Sequence, residues 1–188
     1  MLNPADYRHY VDAFNAIDVP EDVVNLIPNA AAWGWMTQNV PLLDCPDKTL
    51  EKIYYYRWWT FRKHIKETPA GVIMTEFITP VSHAGSHNSI SCALGFHIAE
   101  GRWIRNQRYV DEYTRFWFRG DEGKPERKFH KYSSWVASAM LDRSRVNGDT
   151  KFLTDLLPDL IADVDAWTAE KQLPSGLYWQ FDVRDGME

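Results

Sequence analysis

The sequence has little cysteine. Its 188 residues hold two, Cys45 and Cys92, and neither has another ligand at metal-binding spacing. One disulfide is the most they could form, and nothing in the pattern demands it. Basic charge is not in excess either. Lys and Arg number 21 against 26 Asp and Glu, a net charge of −5, and no basic stripe runs along the chain, which argues against a nucleic-acid partner. No apolar run reaches the ~20 residues of a membrane-spanning helix. The opening M-L-N-P-A-D lacks a basic flank and an apolar core, so no signal peptide is expected, and the compartment stays open. Also missing are G-x-S-x-G, G-x-x-x-x-G-K-[ST] and G-x-G-x-x-G, so a serine nucleophile, a bound nucleotide or any other cofactor is not expected.

Aromatic side chains are plentiful: nine Trp, nine Tyr and nine Phe, 14% of the chain. That serves a bulky core or a sugar-type binding site, and composition does not separate the two. The length suits one good core or part of a larger domain. Residues 1–47 read as a lead-in of short helices. Asp6 to Ile17 places Tyr7, Tyr10, Val11 and Phe14 on one face, a second short segment starts at Pro20, and a third runs from Pro28 to about Asn39.

Residues 48–188 are more regular. Asp47 is positioned to cap a helix over about 48–66, with Leu50, Ile53, Tyr54, Trp58, Phe61 and Ile65 at helical spacing. A long loop, 67–87, follows. Asn88 is placed to cap a helix over 89–101 that carries no charge up to Ala99, which is the mark of a buried helix; His97 within it reads as a core histidine. A helix over about 107–118 is amphipathic. A charged loop leads to another uncharged segment from Tyr132, a helix over about 132–146 that Asn147-Gly148 ends. Pro158 splits the last long apolar pattern, 149–171. Strand signals are confined to Gly71–Ile78 and Leu177–Val183. Loop, buried helix, amphipathic helix recurs every 45–55 residues, the period of helical-hairpin arrays. The fold expected is all-α, with hairpins forming part of a toroid. Its long loops then share the rim at the N-terminal ends of the inner helices, where free N–H groups favour polar ligands.

The third such loop is P-S-G-L-Y-W-Q-F-D-V-R-D-G-M-E, residues 174–188. With the helix order, it resembles the six-hairpin, (α/α)6-toroid glycosidases, in particular the families of trehalases, processing α-glucosidases and mannosylglycerate hydrolases. Their matching loop carries Gly-Met-Asp or Gly-Trp-Asp, the aspartate being the general acid. Here the segment is Gly186-Met187-Glu188, so the resemblance puts Glu188 at the acid position. Glu in place of Asp adds a methylene of reach, which leaves Asp185 as a rival. The resemblance spans about 48–188 and implies an inverting glycosidase acting on a carbohydrate. Its base would lie beyond these residues, so they would be inactive alone and partnered by the remaining C-terminal hairpins of the same domain.

Several residues are candidates for contacting a sugar. Asp182, Asp185 and Glu188 crowd together, which raises one carboxyl's pKa as a general acid requires; Asp185 and Glu188 also have the spacing of a capping box. Arg184 either clamps a substrate group or pairs with a neighbouring acid. Trp179 is the preferred stacking ring, with Phe181 beside it. Glu76, His87 and Asn88 precede the first inner helix, and Tyr132 and Trp135 open the second. His83 and His87 are four apart but lie in a loop without an acid at ligand spacing, so no metal is expected. A non-catalytic helical module binding carbohydrate or protein through the same loops is the competing reading. A terpene-cyclase-like toroid fits less well, because the site is polar.

Overall fold

The structure is a computed structural model whose described residues are 2–181 and Arg184. A 3-10 turn, Pro4–Tyr7, leads into α1 (Arg8–Ile17), and Tyr7, Val11 and Phe14 are buried, the face expected from their spacing. Residues 20–26 form no helix. Their polar groups serve neighbouring elements instead: Asn25 donates to the Lys63 carbonyl at 2.8 Å, and Glu21 accepts from the Asn29 backbone at 2.8 Å and from Lys63 at 3.1 Å. Helix α2 (Asn29–Asn39) begins directly after Pro28.

Asp47 caps α3 (Lys48–Lys63), accepting from Thr49 N at 2.9 Å and Leu50 N at 3.2 Å. The buried face of α3 differs from the apolar spacing. Glu51, Tyr55, Trp58, Trp59 and Arg62 point inward, while Leu50 and Ile53 are exposed. Hydrogen bonds explain the rotation. Glu51 accepts from Tyr10 Oη at 2.7 Å and Cys45 N at 2.8 Å, Tyr55 Oη donates to the Leu43 carbonyl at 2.9 Å, and Arg62 donates to the Ile27 carbonyl at 2.6 Å. These bonds tie residues 1–47 to α3, and one core cluster runs from Tyr7 to Leu160.

Helix α3 stops short of Lys66 because the chain turns into a hairpin. Strand β1 (Ile65–Thr68) pairs antiparallel with β2 (Gly71–Met74), Ile65 opposite Met74 and Thr68 opposite Gly71. The hairpin takes up the start of the long loop. Beyond it follow α4 (Ser91–Gly101), α5 (Arg108–Arg119), α6 (Val136–Asn147), α7 (Thr150–Asp155) and α8 (Leu157–Lys171). The chain is mostly helical, and its helices pack as hairpins. Helix α4 packs along α6 and against α5, and β2 lies on α5, where Val72 N donates to Glu112 Oε2 at 2.7 Å. Gly101 permits the close approach of α4: a Cβ there would stand 2.8 Å from Val110 Cγ2.

Besides the end of α3, three placements differ from the sequence reading. Asn88 does not cap α4; the residue before that helix is Ile90, and the Asn88 side chain is spent on the loop behind it. Helix α6 starts at Val136 instead of Tyr132, because a 3-10 turn at Phe129–Lys131 is pinned first. The Phe129 ring is buried beside Trp117 and Phe118, at 5.7 and 5.0 Å, and His130 reaches Asp163 at 2.7 Å. Of the strand expected over Leu177–Val183, the described residues show one bridge, Gln172 to Tyr178. Gly148, in the left-handed region at φ 73°, ends α6, and Pro158 opens α8, both as read from sequence. Helix α4 is not buried all round. Leu94 and Ile98 face the core, but Phe96 is 59% exposed.

Candidate active site

The open side of α4 faces a cavity of about 810 Å³. Helix α3 supplies one wall with Arg57 and Thr60, extended by His64 at its C-cap; α4 supplies another with Cys92, Phe96, His97 and Glu100. The loop after β2 brings Glu76, Phe77 and His83. The segment before α6 brings Tyr132, Ser133 and Trp135, and Arg184 completes the lining. Stretches from residue 57 to residue 184, far apart in sequence, therefore meet at one cavity.

Local structure places each group. Asn88 sits in the left-handed region at φ 66°, which an Asn side chain tolerates better than most. It accepts from Val81 N at 3.1 Å and donates to the Phe77 carbonyl at 2.6 Å, while its own carbonyl accepts from Glu76 N at 3.1 Å. It thus shapes the loop that presents Glu76 and Phe77. Trp135 lies against α4 at Gly95, where a Cβ would come within 2.6 Å of the indole; its ring meets Phe96 edge-on at 4.8 Å and remains 51% exposed.

The cavity's polar groups are mixed in sign and mostly fixed. Arg57 holds Glu100 through two bonds, at 2.7 and 3.2 Å. His64 Nδ1 donates to the Thr75 carbonyl at 2.8 Å, and burial lowers its pKa. Burial raises the Glu76 carboxyl's pKa. His97 Nδ1 lies 3.1 Å from Tyr113 Oη, and its Nε2 is 3.8 Å from Glu76 Oε2. Burial pulls the His97 pKa down to about 3, so the ring is neutral near pH 7.

Residues 86–188, more than half of the chain, match the family model of the mannosylglycerate hydrolase MGH1-like glycoside hydrolase domain. The chain belongs to the MGH1-like glycoside hydrolase family. A solved structure described as a sialidase matches this MGH1-like chain over its whole length, with a TM-score of 0.96 and 48% identity. The chain spans 17% of that protein's length.

Of the residues singled out in this MGH1-like sequence, Glu76, Tyr132, Trp135 and Arg184 line the cavity. His87 does not; its ring packs toward Phe116 at 5.9 Å, while His83 meets Phe77 at 5.4 Å, so the two imidazoles face different neighbours. Asn88 stands behind the loop rather than on the cavity surface. Trp179 and Phe181 meet edge-on at 4.9 Å, and their rings hold the Lys171 ammonium at 4.4 and 4.9 Å; Arg184 covers the Phe181 ring at 4.4 Å. Asp182, Asp185 and Glu188 lie outside the described residues. Sequence reasoning took His97 for a core histidine and passed over Phe96, His64 and the Arg57–Glu100 pair. Phe96, His97 and Glu100 share one side of α4 with Ala93, at three- and four-residue steps. A histidine and a glutamate on one side of an otherwise uncharged helix was the available signal.

Proposed function

We propose that this chain supplies part of the sugar-binding cavity, and the general acid, of an inverting O-glycosidase. The observation that carries the reading is the meeting of residues 76–83, 132–135 and Arg184 around one cavity that interleaves aromatic rings with carboxyl, imidazole and hydroxyl groups. Sugars present apolar C–H faces and a hydroxyl rim, and such a lining answers both. Arg184 is joined to Asp185 by one peptide bond and precedes Glu188 by four residues. In the proposed reaction, Glu188, with Asp185 as its rival, protonates the leaving glycosidic oxygen. A second carboxylate roughly 6.5–9.5 Å away activates the attacking water from the opposite face. That base belongs to a part of the domain outside these residues. Arg184 and Asp182 contact substrate hydroxyls beside the acid, and Trp179 and Phe181 offer their outer faces.

The remaining hairpins of the domain are the proposed neighbours of α8. Leu157, Ile161 and Val164 form a helical stripe, with Ile161 and Val164 each 54% exposed. The test of the reaction is hydrolysis of a panel of oligosaccharides by the longer chain that contains these residues, with the first-formed anomer followed by proton NMR. Release of the anomer opposite to the substrate linkage is expected. Release of the retained anomer, or no hydrolysis of any panel member, overturns the proposal.

A further inference from the structure

We infer that Glu76 and His97 form a hydroxyl-binding subsite, in which one sugar hydroxyl accepts from His97 Nε2–H and donates to a Glu76 carboxylate oxygen. The inference rests on reading the cavity as a sugar site and adds the groups that select the sugar.

The geometry begins at Tyr113. This residue is buried on α5, and its hydroxyl lies 3.1 Å from His97 Nδ1, within hydrogen-bonding distance. A buried hydroxyl proton without an acceptor is costly. Tyr113 therefore donates and Nδ1 accepts, which leaves the proton of the neutral ring on Nε2. Nε2 points toward Glu76, and the 3.8 Å to Oε2 is too long for a direct hydrogen bond. It is short enough for one oxygen atom to lie within bonding distance of both. That oxygen accepts from Nε2–H and must still have a proton of its own to donate to a Glu76 oxygen, which a hydroxyl has and a carboxylate lacks. The side chains keep 17% and 33% exposure, so the pair is open to the cavity.

A second feature points the same way. Phe96 precedes His97 on α4, and its ring, with that of Trp135, lines the same cavity. An apolar ring face near a donor–acceptor pair suits a pyranose, with its C–H face on the rings and one hydroxyl on the pair. An acidic sugar would have to keep its carboxylate away from Glu76. Tyr113 acts here as a positioning residue, since it sets which imidazole nitrogen carries the proton.

Isothermal titration calorimetry on the longer chain tests this, with methyl glycosides of mannose, glucose and galactose as probes. His97→Asn and Glu76→Ala should each weaken binding of the preferred probe roughly ten- to hundred-fold. The double variant should lose little more, because one hydroxyl bridges both groups. One monodeoxy analogue of that probe should bind the unaltered protein as weakly as the parent glycoside binds the variants. In Tyr113→Phe, long-range nitrogen NMR of the His97 ring should show the Nδ1–H tautomer gaining population, a change that loss of packing alone would not produce. Binding that is unchanged in both single variants, or losses that simply add, overturns the subsite and leaves the sugar reading standing. If no probe binds the unaltered protein, the sugar reading falls and the subsite with it.

Discussion

Glu51 and His130 each tie distant stretches together, and their titrations run in opposite directions. The Glu51 carboxyl accepts from Cys45 N, Tyr10 Oη and Lys48 Nζ, and these bonds hold its pKa at about 2 against an ordinary 4.5. Its folded value lies below its unfolded one, so its contribution to stability is present above pH 4.5 and lost as pH falls toward 2. Glu51→Gln should lower the urea midpoint at pH 7, and the gap to the parent should close as the pH is taken down through that window. His130 is the reverse case. Its bond to Asp163, with Glu170 3.5 Å from the other ring nitrogen, raises its pKa above 6.5. Its contribution is complete below pH 6.5 and lost as pH rises through the folded value. Replacing His130 by Asn should therefore cost more stability at pH 5.5 than at pH 8.5, by denaturant midpoints at the two pH values. An equal loss at both would contradict the assignment of that ion pair.

Two glycines show how packing sets the sign of one substitution in different helices. Gly34, in α2, has nothing within 4 Å of an added Cβ, whereas at Gly101, in α4, the methyl would stand 2.8 Å from Val110 Cγ2 and 3.3 Å from Phe61 Cζ. Gly34→Ala should gain about 0.5–1 kcal/mol from helix propensity. Gly101→Ala should lose about 1–2 kcal/mol, because overpacking outweighs that gain; urea unfolding reads both. The same division explains what could be read in advance. Local chemistry was legible: the Asp47 cap, the glycine stop at 148 and the Pro158 break are decided by neighbours in sequence. The buried face of α3 was not, since it is set by Glu51 bonding to Tyr10 and Cys45. Nor was the start of α6, which waits on Phe129 finding Trp117 and Phe118. At the site, Glu76 stood out by its place in a long loop and Trp135 by its place at the start of an uncharged segment. His97 did not, because periodicity marks the apolar face of a helix without telling whether core or cavity lies beyond it.

At the scale of the whole molecule, residues 86–188, from the loop before α4 onward, match an MGH1-like glycoside hydrolase domain, and the chain spans 17% of the sialidase it matches. The exposed stripe on α8 follows if further hairpins cover it. A cysteine placed at Val164 should react quickly with a thiol reagent when residues 1–188 are produced alone, and at least ten-fold more slowly in the longer chain; equal rates would remove α8 from the hairpin interface. The central claim is that the stretch after Arg184 carries the general acid. The most direct measurement is kcat for the longer chain on its best panel substrate, compared with Glu188→Gln and Asp185→Asn. A general acid contributes typically 10²–10⁴-fold, so one of the two variants should fall by about that factor, and by less on an aryl glycoside whose leaving group needs no proton. Unchanged turnover in both variants would contradict the account.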